Sequence, residues 1–257
     1  SQGFKAGGFA DRAQPDPEFD EEVNNAFELG MKASWLDGAL TTNISIFRMK
    51  IRDLQVARSV FGAVNAFEVE NAAEALSQGV EVDVAWSINE NWAVGANFAY
   101  TDAEYQDFPN AVPAVGPAEA PVCRFGAGTP EVIQGVTSCN FAGQRLIFAP
   151  EFKGGLFVEY TRPNTFGEWT FGARSDVNFS SSFSTELTYN PNLEQDSYTL
   201  INASVRMTSP DERFTLSAIG RNLTEQHVIA WGFTGGFTDL VAPRAPREII
   251  LQARFNY

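Results

Sequence analysis

No stretch of the 257 residues approaches the roughly 18 consecutive apolar residues that a spanning helix needs. A wall of spanning strands is not excluded by that lack. Only alternate residues of such a strand face lipid, so mean hydropathy stays near that of a soluble chain. Cysteine is limited to two residues and histidine to one, too few for a metal site built from those ligands. Cations are also scarce, 18 against 32 carboxylates, a balance that disfavours a nucleic-acid partner because phosphates demand a basic surface. No repeat of roughly 40 to 50 residues is visible, which disfavours a propeller. Ser1 is preceded by no Met, charged region or apolar core of a signal peptide. With SQGFKAGGF reading as the end of a strand, we expect the chain to be part of something longer.

What is present is alternation. In REIILQARFNY, residues 247–257, Ile249, Leu251, Ala253, Phe255 and Tyr257 share one side of an extended chain, and Ile250, Gln252, Arg254 and Asn256 share the other. The same pattern recurs upstream. Asn25 to Leu36 sets Phe27, Leu29, Met31, Ala33 and Trp35 against Glu28, Gly30, Lys32 and Ser34, and Asp37-Gly38 then reads as a hairpin turn. Leu40 to Val56 changes phase: Ile44 and Ile46 share one face, and Phe47, Met49 and Ile51 share the other. Either a bulge near Ile46 reconciles them or the wall is locally apolar on both sides.

Gln78 to Trp86 places Val80, Val82, Val84 and Trp86 opposite Glu81 and Asp83. Two carboxylates on one strand face fit a wet lumen better than a dry core. Asn89 to Asn91 turns, and Trp92, Val94, Ala96, Phe98 and Tyr100 follow on one face. Further strands read over Phe152 to Thr161, Glu168 to Phe179, Ser197 to Thr208 and Arg213 to Leu223. The residues between them are expected to form long loops at Asp11 to Asn24, Ala57 to Asn71, Gln106 to Gly143, Ser180 to Asp196 and Thr224 to Pro246. Short turns are expected at residues 37–38, 89–91, 163–167 and 209–212. Trp35, Trp86 and Trp92 flank short turns, as an interfacial aromatic girdle would. Ten strands with long and short connections in alternation predict an all-β antiparallel transmembrane β-barrel, with its short turns on one side of the membrane.

Several segments then resemble one family. GFKAGGF (3–9), FELGMK (27–32), LSQGVEVDVAW (76–86), YTDAEYQDF (100–108), GQRLIFAPEF (143–152) and GRNLTEQHV (220–228), in that order, are similar to the C-terminal part of TonB-dependent outer-membrane receptors. PRAPREIILQARFNY resembles that family's closing strand. The resemblance implies that residues 1–257 supply the last ten strands of a 22-stranded barrel in the outer membrane of a Gram-negative bacterium. The plug domain and the first half of the wall would lie outside this chain. It also implies a transport receptor rather than an enzyme. Its ligand would be scarce and large, foremost a ferric siderophore, with vitamin B12, haem or an oligosaccharide as alternatives. The implied partners are a TonB-type energising complex reached through the missing N-terminal part, outer-membrane lipid, and the barrel assembly machinery. Phe255 and Tyr257 would be the signal read by that machinery. No cofactor is implied.

On an oxidising outer surface, Cys123 and Cys139 within one loop are expected to form a disulfide. The last loop carries His227, Trp231, Phe233, Phe237 and Arg244. Its aromatic residues suit stacking on a ring-bearing ligand, or packing against neighbouring loops. Arg124 and Arg145 are candidates to attract an anionic siderophore. His227 is also open to a catalytic reading with Asp239, as in a self-contained ten-stranded barrel protease, although no second histidine or nucleophile motif accompanies it. Glu81, Asp83, Arg174, Asp176 and Arg206 are expected to line the lumen.

Overall fold

A computed structural model describes residues 1–9, 18–59, 67–115, 121–133, 136–234 and 238–256. Ten strands form one antiparallel sheet in chain order. They are β1 (Gln2–Lys5), β2 (Glu22–Trp35), β3 (Leu40–Ser59), β4 (Phe67–Ser87), β5 (Trp92–Asp107), β6 (Phe152–Phe166), β7 (Trp169–Ser180), β8 (Tyr198–Thr208), β9 (Phe214–Arg221) and β10 (Glu248–Phe255). β1 and β10 are the two edges of this sheet. The all-β expectation, the strand count and the alternation of long and short connections all agree with this architecture.

The short turns follow from their residues. Gly38 takes φ +91°, a region without steric cost only for glycine. The Asn89 side-chain oxygen accepts from the backbone N–H of Asn91 at 2.9 Å and of Trp92 at 3.0 Å, closing the β4–β5 turn. Ser209 donates to Asp211 at 2.6 Å and accepts from the Phe214 N–H at 2.9 Å in the β8–β9 turn. The Ser209 hydroxyl first, and then the Arg213 backbone N–H, hold the Asp211 carboxyl below its ordinary value.

One face of the sheet is apolar and open. Leu251, Phe4, Phe27 and Ile249 remain 82, 74, 69 and 68 % exposed. Side chains of that size across a whole sheet face require a bilayer rather than water. Near the short turns the same face carries aromatics in contact: Trp92 with Tyr160 at 4.7 Å, and Phe214 with Phe255 at 4.8 Å. The opposite face holds Glu81, Asp83, Arg174, Asp176 and Arg206, and is the luminal side.

Several expected boundaries move. The loop expected over Ala57 to Asn71 is shorter, because β3 runs to Ser59 and β4 begins at Phe67, with Ser59 paired to Phe67. β6 likewise passes through Pro163 to Phe166, and its turn narrows to Gly167 and Glu168, both at positive φ. The phase change in β3 is not a bulge near Ile46. Pairing with β4 is unbroken from Leu40 to Ile51, and the register shifts only after Ile51, where Asp53 has φ +54°. Nor is the strand apolar on both sides at once: beyond Ile46 its luminal side becomes apolar while its outward side turns to Arg48, Lys50 and Arg52. The reason is a connection folded over the luminal side. Ile51 and Leu54 pack on a buried cluster that includes Ala75, Tyr105, Phe108 and Phe141.

Candidate functional site: the outer mouth

The long connections lie at one end of the sheet, and the described parts of three of them pack against one another. Between β5 and β6, residues 112–113, 136–140 and 129–133 pair as a small antiparallel sheet. Cys123 and Cys139 are bonded, with Cα atoms 5.8 Å apart, and Cys139 is fully buried. Phe108 meets Tyr105 at 4.9 Å and Phe141 edge-on at 5.9 Å. The Glu131 carboxylate accepts from the Asn110 N–H at 2.6 Å, the Ser138 hydroxyl at 3.4 Å and the Asn140 amide at 3.3 Å. A carboxylate with so many internal donors is a structural clamp.

Between β7 and β8, Asn190 caps a short 3₁₀ turn, Pro191–Leu193, by accepting from the Asn192 N–H at 3.0 Å. Between β9 and β10, Ile229–Thr234 pairs with Asp239–Pro243. These two connections are fastened together. Asp239 accepts from Asn190 at 2.9 Å and Asn192 at 3.0 Å, and Thr234 donates to Glu186 at 2.9 Å. The backbone N–H of Ile229 is held by Gln195. Gly232 lies over fully buried Leu193, and a Cβ there would come within 2.7 Å of the Thr185 hydroxyl. Both Asp239 oxygens are therefore engaged by asparagines. His227 is exposed.

The expected ligand contacts fall in three places. Trp231 and Phe233 share one face of the last hairpin, with rings 6.1 Å apart and within 2° of parallel, and Trp231 is half exposed. Arg124 adjoins the disulfide and lies over the Phe125 ring at 4.9 Å. Arg145 is drawn to the wall, donating to the Thr101 carbonyl at 2.7 Å with Asp102 at 3.8 Å. Phe237 and Tyr257 lie outside the described residues. Tyr189, Asn190 and Glu131 were not anticipated. The Asn190-Pro191 pair was a readable turn signal, whereas Tyr189 carried none.

Below the mouth, the luminal face holds an ion network. Arg174 binds Asp176 at 2.7 Å and Glu159 at 3.2 Å, and Arg206 reaches Glu159 at 2.9 Å. The Arg174 guanidinium also lies 4.1 Å from the centre of the Phe157 ring. Beside it is a hollow of about 330 Å³ floored by Gly95 and Gly155 and edged by Asn43, Asp83, Asn97 and Asn178. Among the described residues, no group of three or more His, Cys, Asp or Glu is placed to hold a metal.

The family model described as TonB dependent receptor-like, beta-barrel matches residues 1–223. The chain belongs to that family. Its members are transport receptors of the Gram-negative outer membrane, and that membrane is where this chain resides. It is 24 % identical over 260 residues to the metal-pseudopaline receptor CntO of Pseudomonas aeruginosa, covering 100 % of this chain and 30 % of the relative. Among solved structures it is similar to the ferric yersiniabactin uptake receptor FyuA from Yersinia pestis, with TM-score 0.73, 18 % identity, and coverage of 100 % of this chain and 34 % of the other. The siderophore receptor PiuA from Acinetobacter baumannii superposes with TM-score 0.65, 18 % identity, and coverage of 94 % and 29 %. The chain thus spans about a third of the length of the proteins it matches.

Proposed function

We propose that this chain is the C-terminal, closing part of the barrel of a receptor that takes up a scarce metal chelate, foremost a ferric siderophore. The observation that carries the reading is the outer mouth. Three connections are interlocked there by buried contacts and present the near-parallel Trp231 and Phe233 rings at the surface. A pre-organised, aromatic outer surface is suited to a ring-bearing ligand because little ordering cost remains on binding. The similar receptors are named for siderophores and metal complexes, which points the same way. Energy would come from an inner-membrane TonB-type complex acting through the part of the receptor that precedes this chain. The barrel assembly machinery would read the closing strand. No catalytic role is proposed.

The test is uptake of radiolabelled ferric chelates by cells that carry the full-length receptor as their sole route, under iron starvation. Trp231→Ala should weaken binding about tenfold through loss of ring stacking. Uptake that is absent for every metal chelate tried, with the receptor folded and surface-exposed, would sink the reading.

A further inference from the structure

The strand that changes phase carries a second feature on its outward side. Exposure alternates from Ile44 to Arg52: Ile44, Ile46, Arg48, Lys50 and Arg52 are exposed, and Ser45, Phe47, Met49 and Ile51 between them are half-buried. The lipid-facing edge of this strand therefore runs from two isoleucines directly into three cations. Its neighbours change character at the same level. Leu29, Ile46, Val80 and Tyr100 lie in one cross-strand row, and Phe27, Arg48, Gln78 and Asp102 lie in the next. The apolar band thus ends between these rows on β3, β4 and β5, and one residue pair later, at Asn25, on β2.

The cations differ in their commitments. Lys50 is bonded to Glu74 at 2.8 Å. Among the described residues Arg48 and Arg52 make no ion pair. They are about 13 Å apart along the strand. The adjacent outward residues of β2 are Val23, Asn25 and Phe27, none of them charged. The nearest outward carboxylates on β5 are Asp102 and Glu104, two strands away, and Asp102 is already engaged by Gln78 at 3.1 Å and by Arg145.

We propose that Arg48 and Arg52, with Lys50 between them, form a binding site for the phosphate-bearing headgroup of an outer-leaflet lipid. Guanidinium groups match phosphate oxygens in a bidentate way, and cations at a membrane surface gain from anionic headgroups. The isoleucines and Leu29 directly below supply the surface for the same lipid's acyl chains. This assignment rests on the membrane placement of the wall.

The test uses the detergent-extracted full-length receptor, titrated with phosphatidic acid and read by native mass spectrometry. Phosphatidylcholine serves as the zwitterionic comparison. Arg48→Gln combined with Arg52→Gln should weaken phosphatidic acid binding about thirtyfold. Arg213→Gln, which removes a cation at the short-turn end, should leave it unchanged. Unchanged heat-modifiable migration of the double glutamine variant guards against a loss due to misfolding. Equal loss in the Arg213 variant, or no loss in the double glutamine variant, overturns the site. Displacement of the lipid by millimolar inorganic phosphate overturns the lipid assignment. Failure of the receptor to show heat-modifiable migration would count against the membrane wall itself, a separate outcome.

Discussion

Tyr189 donates its phenolic hydrogen to the backbone carbonyl of Arg145, so the β7–β8 connection is tied to the root of the β5–β6 connection. The Tyr189 ring also meets Phe141 edge-on at 5.3 Å. Through these contacts the disulfide-bearing core continues into the β7–β8 connection, and through Leu193 into the last hairpin. Tyr189→Phe should keep the ring contact and lose the hydrogen bond, a cost of about 1 kcal/mol. Hydrogen exchange in the full-length receptor checks this. Protection should fall in residues 136–146 and 183–195 together, and a fall confined to one segment would mean that the loops are not coupled.

The same residue predicts a pH dependence. Burial, and then the neighbouring Tyr105, push the Tyr189 hydroxyl above its ordinary value of 10.0. The folded loops keep a proton that the opened loops release. The contribution to stability is therefore complete below about pH 10 and declines as pH rises above it. Loop protection in the parent should fall between pH 10 and 11, and Tyr189→Phe should lack that step. An identical decline in the variant would assign it to another group.

Cys123→Ala with Cys139→Ala should loosen one connection without unfolding the wall. A cross-link with a sequence separation of 16 stabilises by about 3 kcal/mol in the chain-entropy picture. Limited proteolysis of the double variant should cut between residues 121 and 133 while the receptor keeps heat-modifiable migration. Loss of that migration would show the bridge to be needed for the barrel itself.

Much of this architecture was legible because membrane strands write their two environments in alternate residues. Val80, Val82, Val84 and Trp86 against Glu81 and Asp83 gave strand and facing at once. The alternation loses its meaning where that environment ends. Past Ile46 the outward side becomes cationic and the luminal side apolar, because one has left the bilayer and the other has gained a folded loop. The change of phase and the long β5–β6 loop were both visible, but that this loop folds over β3 and causes the change was not. Glu159 was missed although its strand was found, since its place in the network depends on Arg174 and Arg206 from β7 and β8. Arg145 looked like a free cation in sequence; its partners, Thr101 and Asp102, lie more than forty residues away along the chain.

Gly95 faces Phe157 on the neighbouring strand, and a Cβ there would lie 2.3 Å from the ring. Gly95→Ala should displace that ring, disturb the Arg174 contact and cost roughly 1–3 kcal/mol by overpacking. Phe157→Ala alone should also destabilise, by removing a ring that covers the glycine. Combined, the two changes relieve each other. The sum of the single losses in urea unfolding should exceed the loss in the double variant. Simple additivity would mean that the backbone gives way rather than the ring.

The luminal network invites a similar separation of charge from packing. Glu159 serves two cations, Arg174 and Arg206, but only Arg174 has another carboxylate, Asp176. Glu159→Gln therefore strands Arg206 more than Arg174. These side chains are between a quarter and a half exposed, so water screens the loss, and about 1 kcal/mol is expected. Arg206→Gln should cost a similar amount. With both changes made, no unmatched charge is left on the pair, and the double variant should cost less than the two singles added together. Raising the salt concentration should shrink the Glu159→Gln effect, because exposed pairs are screened. A loss that is additive and indifferent to salt would show that Glu159 acts through its packing against the wall and not through its charge.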